Sequence, residues 1–296
     1  MLRRILWVII CIPPALFAIG TGAALSWPVT RHIVSAWWYL PDRLPALSDN
    51  GLVHYEPGAE DYARDVATLL PAALARVEAT HGRPFAHPVT LGVYDSMDAY
   101  VAANGTGSTA PVGTAIFGRV NLSPKLSWPQ HRRLPAILTH ELSHAHIEGW
   151  IGNRYVLLPN WFKEGLAVMV SGGGGAELVG ADEAWAAIQD GGQIAIDDAG
   201  SLLSWEIRFA TAPARQDPSW YPVVLAYRQA GMFVTYLRAS DEAAFDRMMN
   251  AILDGRAFAD AVTVAYHDDV RSLWLRFVES SPHRKAELGS QPNLPP

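Results

Sequence analysis

The stretch His140-Glu141-Leu142-Ser143-His144 is the most informative part of the sequence, because it fits the metal-binding pattern H-E-x-x-H. Residues four apart lie one above the other on an α-helix, so the imidazoles of His140 and His144 can converge on one metal ion. Glu141 can then reach a water molecule on that ion. A shuffled chain of this composition would contain the pattern about 0.01 times, so chance is a poor explanation for it.

The residues around this motif predict a packed helix over 133–148. Its apolar side chains recur at helical spacing and would form a stripe that faces a core. They are Leu134, Ile137, Leu138 and Leu142. Pro135 is expected in the first turn of the helix, where the missing backbone N–H leaves no hydrogen bond unmade.

Two histidines do not complete a zinc site, because a catalytic zinc ion usually takes three protein ligands and leaves one position for water. His146 is two residues from His144 and points to another side of the helix. Glu148 continues the same row, but a set that includes it would span about 12 Å of helix, too far to close on one ion. We therefore expect Glu148 behind the ligands or in solvent. The metzincin continuation is excluded, because Ile147 and Trp150 stand where it needs Gly and His.

A carboxylate further along the chain is the candidate third ligand. Glu164 follows His144 by twenty positions and lies in a second helical stretch over 160–170, for which Asn160 is a plausible cap. A return loop over 149–158 would let this helix lie antiparallel to the first and bring Glu164 to the metal.

These residues together resemble a known family. His140-Glu141-x-x-His144 followed by Trp161-Phe162-x-Glu164-Gly165-x-Ala167 is similar to the gluzincin branch of zinc metallopeptidases, in particular the peptidase MA-like family related to aminopeptidase N and thermolysin. The resemblance covers about Leu52 to Val278. It implies an α+β, zincin-like metalloprotease fold: a small mixed sheet with an edge strand, then the active-site helix and a mainly helical C-terminal lobe.

The resemblance also assigns roles. It implies that His140, His144 and Glu164 bind zinc (Zn²⁺), the one cofactor expected, and that Glu141 is the general base. Zinc chemistry then predicts a metalloprotease, a hydrolase that cleaves peptide bonds through a zinc-bound water activated by Glu141. Family members often use a downstream Tyr or His to stabilise the oxyanion. Tyr227 is our first candidate and Tyr221 the second, with an ordinary buried tyrosine as the alternative reading of each.

The stretch 114–122 alternates and predicts an edge strand along which a peptide substrate would lie, with Ile116, Val120 and Leu122 on one face. It contains no Asp or Glu, so the carboxylate with which related aminopeptidases hold an ammonium group is missing and exopeptidase activity is not supported. The chain also departs from the thermolysin pattern at Val168, where an acid that orients a histidine ligand is expected. The groups that orient the two histidines stay unidentified.

The remaining pattern predicts mixed α/β structure before the motif and helices after it. Strands are predicted over 52–55 and 89–94, with a helix over 59–80 and Asp95 as a helix cap. Further helices are predicted over 181–189, 218–239, 241–254, 256–266 and 268–280. The run Gly172 to Gly175 lacks the context of a phosphate loop and is interpreted as a flexible connection.

Composition limits the partners and the metal ligands. The 296 residues are 50% hydrophobic and carry a formal net charge of −6, with a pI near 5.9. This acidic balance, with no run of Lys or Arg longer than a pair such as Arg132-Arg133, gives no electrostatic footprint for nucleic acid. The one cysteine, Cys11, lies in the apolar N-terminal stretch, so any metal must be held by His, Asp or Glu.

The N-terminus predicts a targeting segment. Arg3 and Arg4 precede the uncharged stretch Ile5 to Leu25, which fits a signal peptide or an N-terminal membrane anchor over 1–25. Either kind of segment places the rest of the protein outside the cytoplasm. The protein would then be anchored in the membrane, or secreted or periplasmic. The aromatic residues that follow fit a membrane interface or a linker packed on the domain. They are Trp27, Trp37, Trp38 and Tyr39.

The predicted organisation follows from these segments. A linker is expected over 26–50, with its Pro-rich part at Pro41 to Asn50, and then a single catalytic domain over 51–280. That domain divides into an α/β part over 51–126 and a helical part over 127–280, and a tail covers 281–296. The expected partners are a peptide or protein substrate and, through the N-terminal segment, a membrane. Two alternatives stay open: a catalytically silent zincin-fold protein that binds an envelope partner, and a zinc hydrolase of a non-peptide amide.

Overall fold

A computed structural model describes residues 28–200, 206–214 and 218–281. The predicted signal or anchor segment over 1–25 and the tail from 282 onward lie outside these ranges. The described chain has mixed α+β structure with a five-stranded mixed sheet in the order β1-β2-β3-β5-β4. The strands are β1 Ala46–Leu47, β2 Asn50–Tyr55, β3 Leu91–Val93, β4 Gly113–Ile116 and β5 Arg119–Leu122. Strands β2, β3 and β5 run parallel, and β1 and β4 are antiparallel to their neighbours.

Helices flank this sheet and make up most of the second half. The helices before β4 are α1 Pro28–Trp38, α2 Glu60–His81 and α3 Met97–Ala103. Those after β5 are α4 Leu134–Ile151, α5 Asn160–Ser171, α6 Ala181–Gln189, α7 Tyr221–Ser240, α8 Glu242–Leu253, α9 Phe258–Tyr266 and α10 Val270–Glu279. Each helix predicted from the sequence is confirmed, with bounds that differ by a few residues. None of the helices in the described ranges is both long and apolar enough to cross a membrane.

The predicted strand over 114–122 is a β-hairpin instead of a single strand. Strands β4 and β5 are joined by Phe117 and Gly118, which both have positive φ, at 55° and 69°. Residues with positive φ form the tight turns that link antiparallel strands. The predicted edge position holds for β4 only, because β5 lies between β3 and β4.

The hairpin also changes which residues share a face. Cross-strand partners lie on the same face of a sheet, and Ile116 is paired with Arg119. Val120 and Leu122 are fully buried on the other face. The prediction that Ile116 lies with these two residues is therefore wrong, since simple alternation ignores the reversal of the chain.

Residues 41–50 are structured where the sequence indicates a linker. They contain a short 3₁₀ turn, Pro41–Arg43, and strand β1, which pairs with β2. The predicted cap Asp95 is also corrected: the Ser96 side chain accepts the hydrogen bond from the backbone of Ala99 at the start of α3. Asn160 is the first helical residue of α5, and the cap position is Pro159.

Helix α4 lies at the centre of the fold. Pro135 stands in its first turn as predicted, and the segment from Ile137 to Ile147 is buried all round. A helix that is apolar or buried on every side belongs in a core. The sheet packs against one side of α4. Helix α5 packs against another side of it.

Helices α5 and α7 approach very closely, and this contact sets the position of Glu164. A Cβ on Gly165 would stand 2.6 Å from the carbonyl oxygen of Ala230 in α7. Only glycine permits this approach of two helix backbones. Next to it, Trp161, Phe162 and Phe233 are fully buried and pack with one another in the core.

Candidate metal centre

Helix α4 presents both histidines of the motif on one side. Nε2 of His140 lies 3.1 Å from Nε2 of His144, one turn further along, and both side chains are buried. This is the arrangement that the i, i+4 spacing predicts.

Helix α5 adds the predicted carboxylate. Oε2 of Glu164 lies 3.3 Å from Nε2 of His140 and 3.4 Å from Nε2 of His144. The three side chains form the one group of His, Cys, Asp or Glu in the described ranges whose geometry could hold a metal ion. The structure therefore brings together the three residues that the sequence predicts as metal ligands.

The backbone of the glycine run orients His140. Nδ1 of His140 lies 2.9 Å from the carbonyl oxygen of Gly174, and a carbonyl can only accept a hydrogen bond. His140 therefore donates through Nδ1, and its neutral form keeps the lone pair on Nε2, facing Glu164 and His144. In the thermolysin pattern an acid at the position of Val168 would orient a histidine. Here the carbonyl of Gly174 orients His140 instead.

The glycine run, predicted as a flexible connection, forms a loop that packs against α4. Gly172, Gly173 and Gly175 all have positive φ, at 73°, 112° and 85°. A Cβ on Gly174 would stand 2.6 Å from the carbonyl oxygen of Ala136, so the loop lies directly against α4. Such backbone is open to glycine and costly for other residues.

Arg228 on α7 holds the far side of this loop. Its Nη2 donates to the carbonyl oxygen of Ala176 at 2.8 Å, and its Nε donates to that of Val179 at 2.7 Å. A guanidinium group that forks onto two carbonyls restrains both of them. Arg228 therefore restrains the chain just after Gly174, whose own N–H donates to the Ser171 hydroxyl at 2.9 Å.

Tyr155 orients the second histidine. Its hydroxyl oxygen lies 2.8 Å from Nδ1 of His144, and the side chain comes from the return loop between α4 and α5. With Nδ1 of His144 donating to this hydroxyl, Nε2 presents its lone pair to Glu164. Lys163 lies over the Tyr155 ring, with Nζ 4.8 Å from the ring centroid, a favourable contact between a cation and an aromatic face.

The donor set fits a zinc ion. Two imidazole nitrogens and one carboxylate oxygen are ordinary zinc ligands, and they leave the fourth tetrahedral position open. Ligand atoms at about 2.0–2.1 Å from a tetrahedral zinc stand about 3.4 Å apart. The separations of 3.1, 3.3 and 3.4 Å agree with that spacing.

No protein-family model, no curated protein and no solved structure matches this chain.

Glu141 is buried beside the edge strand. A Cβ on Gly113 of β4 would stand 2.8 Å from Oε1 of Glu141 and 2.7 Å from its Cγ. The glycine thus leaves the space that the carboxylate occupies. Burial raises the pKa of Glu141, and this effect outweighs the neighbouring imidazoles, which favour the charged form. A carboxyl group with a raised pKa is suited to accepting and returning a proton near neutral pH.

Charge coupling is strong within the cluster. Burial would raise the pKa of Glu164, but the imidazoles of His144 and His140 hold it well below its ordinary value. Burial lowers the pKa of His140. The protonated ring, however, donates a hydrogen bond to Glu164 and lies beside the charges of Glu141 and Glu164, and together these effects outweigh burial and raise the pKa. Glu164 is thus held ionised, the form that binds a metal ion.

Tyr227, the candidate oxyanion donor, lies at the site. Its ring stacks on that of His140, with centroids 6.1 Å apart and planes 8° apart. Burial, then the charges of Glu164 and Glu141, raise the pKa of Tyr227 well above its ordinary value, so it stays a protonated donor. The second candidate, Tyr221, packs instead with Val179, Ala184 and Leu225 in a separate apolar cluster.

Glu148 lies beyond the ligands, as predicted, and holds the hairpin. Its Oε2 accepts a hydrogen bond of 2.8 Å from the backbone N–H of Gly118, in the turn between β4 and β5. Helix α4 and the edge strand are thereby tied together at their shared end.

A second histidine pair lies buried behind the site. His146 Nε2 donates to the carbonyl oxygen of Arg83 at 2.9 Å, so its Nδ1 accepts from Nδ1 of His81, also at 2.9 Å. Nε2 of His81 then accepts from the hydroxyl of Ser143 at 3.2 Å. Burial lowers the pKa of both histidines and keeps them neutral, which leaves one consistent direction for the chain of hydrogen bonds. The pair clamps α4 to the end of α2.

Sequence reasoning missed four contributors: Tyr155, the Gly174 carbonyl, Arg228 and Gly113. The return loop over 149–158 had to pass close to the predicted metal ligands, so Tyr155 could have been predicted to contact one of them. A backbone carbonyl leaves no mark in the residue pattern, because every residue carries one.

Proposed function

We propose that this protein is a zinc-dependent metallopeptidase of the gluzincin type. The observation that carries the proposal is the convergence of His140, His144 and Glu164 within 3.4 Å of one another, with Glu141 buried next to them. An H-E-x-x-H motif alone is a hypothesis, and a third ligand at the right spacing is the structural context that strengthens it.

The arrangement of the sheet supports a zincin-like fold within the coarser α+β class. Strand β4 is the edge of the sheet, and it lies against the active-site helix through Gly113 and Glu141. The helices that follow α4 bring in Glu164 and Tyr227.

Each residue of the site then has a part in peptide hydrolysis. When bound, zinc supplies a Lewis acid that polarises the scissile carbonyl and makes water nucleophilic near neutral pH. Glu141 takes a proton from the attacking water and returns it to the nitrogen of the leaving amine. Tyr227 donates its hydroxyl proton as a hydrogen bond to the developing oxyanion.

The edge of β4 supports an extended substrate. Only β5 pairs with this strand in the described ranges, so its outer side offers backbone groups to a peptide. A peptide that adds to a sheet edge is held by main-chain hydrogen bonds and tolerates many side chains. The absence of an acid in Gly113–Ile116 and Arg119–Leu122 favours cleavage within a chain over release of its first residue.

A cleavage assay on a peptide library, read by mass spectrometry, tests the proposal. The wild type is expected to cleave internal peptide bonds, and Glu141→Gln to lose this activity while it keeps its metal. Glu242→Gln, which changes an exposed glutamate on α8, is the control and should cleave as the wild type does. Cleavage that survives Glu141→Gln would refute the mechanism. A zinc-loaded wild type that cleaves no peptide would refute peptidase function.

A further inference from the structure

Helix α1 is seated firmly on the domain by one of its faces. The Ser35 hydroxyl donates to the carbonyl oxygen of Ala102 in α3 at 2.8 Å, and Ala36 is fully buried. His32 fills the space beside Gly107, where a Cβ would stand 2.1 Å from its Cε1. The helix therefore holds a fixed orientation relative to α3.

The opposite face of α1 and the residue after it are strongly apolar and exposed. Val34 is 45% exposed, Trp37 55%, Trp38 60% and Tyr39 55%. These four lie within six positions of one another, whereas single exposed apolar residues are ordinary on a protein surface. We call Val34, Trp37, Trp38 and Tyr39, with Arg31 and Arg43, the aromatic face.

The charges on the aromatic face are positive. Arg31 stands three and seven positions before Val34 and Trp38, which places it on the same side of the helix. The Arg43 guanidinium lies 5.2 Å from the centroid of the Trp38 ring. Asp42, the acid next to Arg43 in the sequence, is paired with Arg119. Cations beside exposed indole rings suit a surface of anionic groups above an apolar layer.

The sequence before α1 also indicates a lipid membrane as the partner of the aromatic face. The uncharged stretch from Ile5 to Leu25 ends three positions before α1 begins at Pro28. Tryptophan and tyrosine are enriched where a chain meets the boundary between lipid and water.

We propose that the aromatic face binds the surface of a phospholipid bilayer. The rings of Trp37, Trp38 and Tyr39 lie at the level of the headgroups, and Arg31 and Arg43 contact anionic headgroups. Helix α1 thereby fixes the orientation of the whole domain on the membrane, in addition to any tether that the apolar segment provides.

One consequence rests on the proposed function. At Gly105 a Cβ would stand 2.4 Å from Cδ1 of Ile116 in β4 and 3.8 Å from Cβ of Ala36 in α1. The end of the edge strand is thus about one helix diameter, roughly 10 Å, from the aromatic face. Bilayer binding would hold the outer edge of β4, on which the peptide substrate is proposed to lie, close to the membrane and favour polypeptide segments near its surface.

Site-specific fluorescence on the full-length protein tests bilayer binding without reference to activity. In a Cys11→Ser background, Trp38→Cys carries an environment-sensitive dye, and the protein is reconstituted in vesicles of phosphatidylcholine and phosphatidylglycerol. Leu275→Cys on α10, 57% exposed, is the control of matched exposure. Ser48→Cys, exposed and only ten positions along the chain, controls for simple closeness to a tether.

The dye at position 38 is expected to shift its emission to the blue and to be quenched by lipids that carry a nitroxide on the headgroup. The dyes at positions 48 and 275 should show neither effect. Equal quenching at positions 38 and 48 would overturn the proposal, because a tether alone explains it. A blue shift at position 38 that depends on protein concentration in lipid-free detergent would also overturn it, because the occupant would then be a second copy of the chain.

Discussion

The hydroxyl oxygen of Tyr155 lies 2.8 Å from Nδ1 of His144, although eleven positions and the end of helix α4 separate them. This contact fixes the ring of His144 so that Nε2 faces Glu164. Groups that hold metal-binding histidines in this way contribute to metal affinity although they never touch the metal.

Replacing Tyr155 with Phe should therefore weaken zinc binding by about 10–100-fold without unfolding the protein. The change removes one oxygen and leaves the packing of the ring. Zinc affinity measured against a competing chelator checks the prediction. Tyr94→Phe is the matched control, since it removes a buried hydroxyl that donates to Asn121 at 2.9 Å, away from the metal site. Equal zinc affinity in the wild type and Tyr155→Phe would contradict the assigned role.

The glycine loop gives a second prediction. In Gly174→Ala, the new methyl group would stand 2.6 Å from the Ala136 carbonyl oxygen, and the loop must move away from α4. We expect a loss of about 1–3 kcal/mol in the free energy of unfolding, together with weaker zinc binding, because the carbonyl that orients His140 is displaced. Urea denaturation and chelator competition measure the two effects. Gly51→Ala, which has open space around it, should change neither.

Gly113 gives a prediction that separates chemistry from metal binding. The methyl group of Gly113→Ala would stand 2.8 Å from Oε1 of Glu141, so the carboxylate must shift. Peptide cleavage is expected to slow at least about tenfold, equivalent to about 1.4 kcal/mol in the activation barrier, while zinc content stays at the wild-type level. Unchanged cleavage, or loss of zinc together with activity, would argue against the position assigned to Glu141.

The buried His81 predicts how stability depends on pH. Burial, then the neighbouring His146, lowers the pKa of His81 well below 6.5, so the unfolded chain binds a proton here that the folded chain does not. The free energy of unfolding should therefore fall as the pH drops below about 6.5, by up to about 1.4 kcal/mol per pH unit for this group.

The variant His81→Gln isolates this contribution in the zinc-free protein. Its free energy of unfolding, measured in urea across the acid range, should depend less steeply on pH than that of the wild type. The exposed His87→Gln serves as the control and should keep the wild-type slope. Identical slopes for His81→Gln and the wild type would show that His81 titrates normally in the folded state.

Most of the secondary structure was predictable from the sequence, because periodic apolar residues mark the helices. The helix predicted over 160–170 is Asn160–Ser171, and that over 181–189 is Ala181–Gln189. The strands were harder. The turn at Phe117 and Gly118 places a reversal inside an alternating stretch, and alternation alone does not show a change of direction.

The candidate site was predictable where side chains carry it. His140, Glu141, His144 and Glu164 belong to a spaced pattern, and the structure brings them together. The groups around them depend on tertiary contacts between segments distant in the chain, such as the carbonyl of Gly174 against His140. No local pattern encodes such a contact, because it arises only when α4, α5 and α7 pack.

Zinc content is the most direct test of the account. The purified full-length protein, dialysed against metal-free buffer and analysed by mass spectrometry of the elements, should hold about one zinc ion per chain, as a site with three protein ligands would. The Glu141→Gln protein should hold the same amount, whereas His144→Ala should lose nearly all of it. A wild-type protein that holds no zinc, or zinc that remains in His144→Ala, would contradict the claim that His140, His144 and Glu164 form a metal centre.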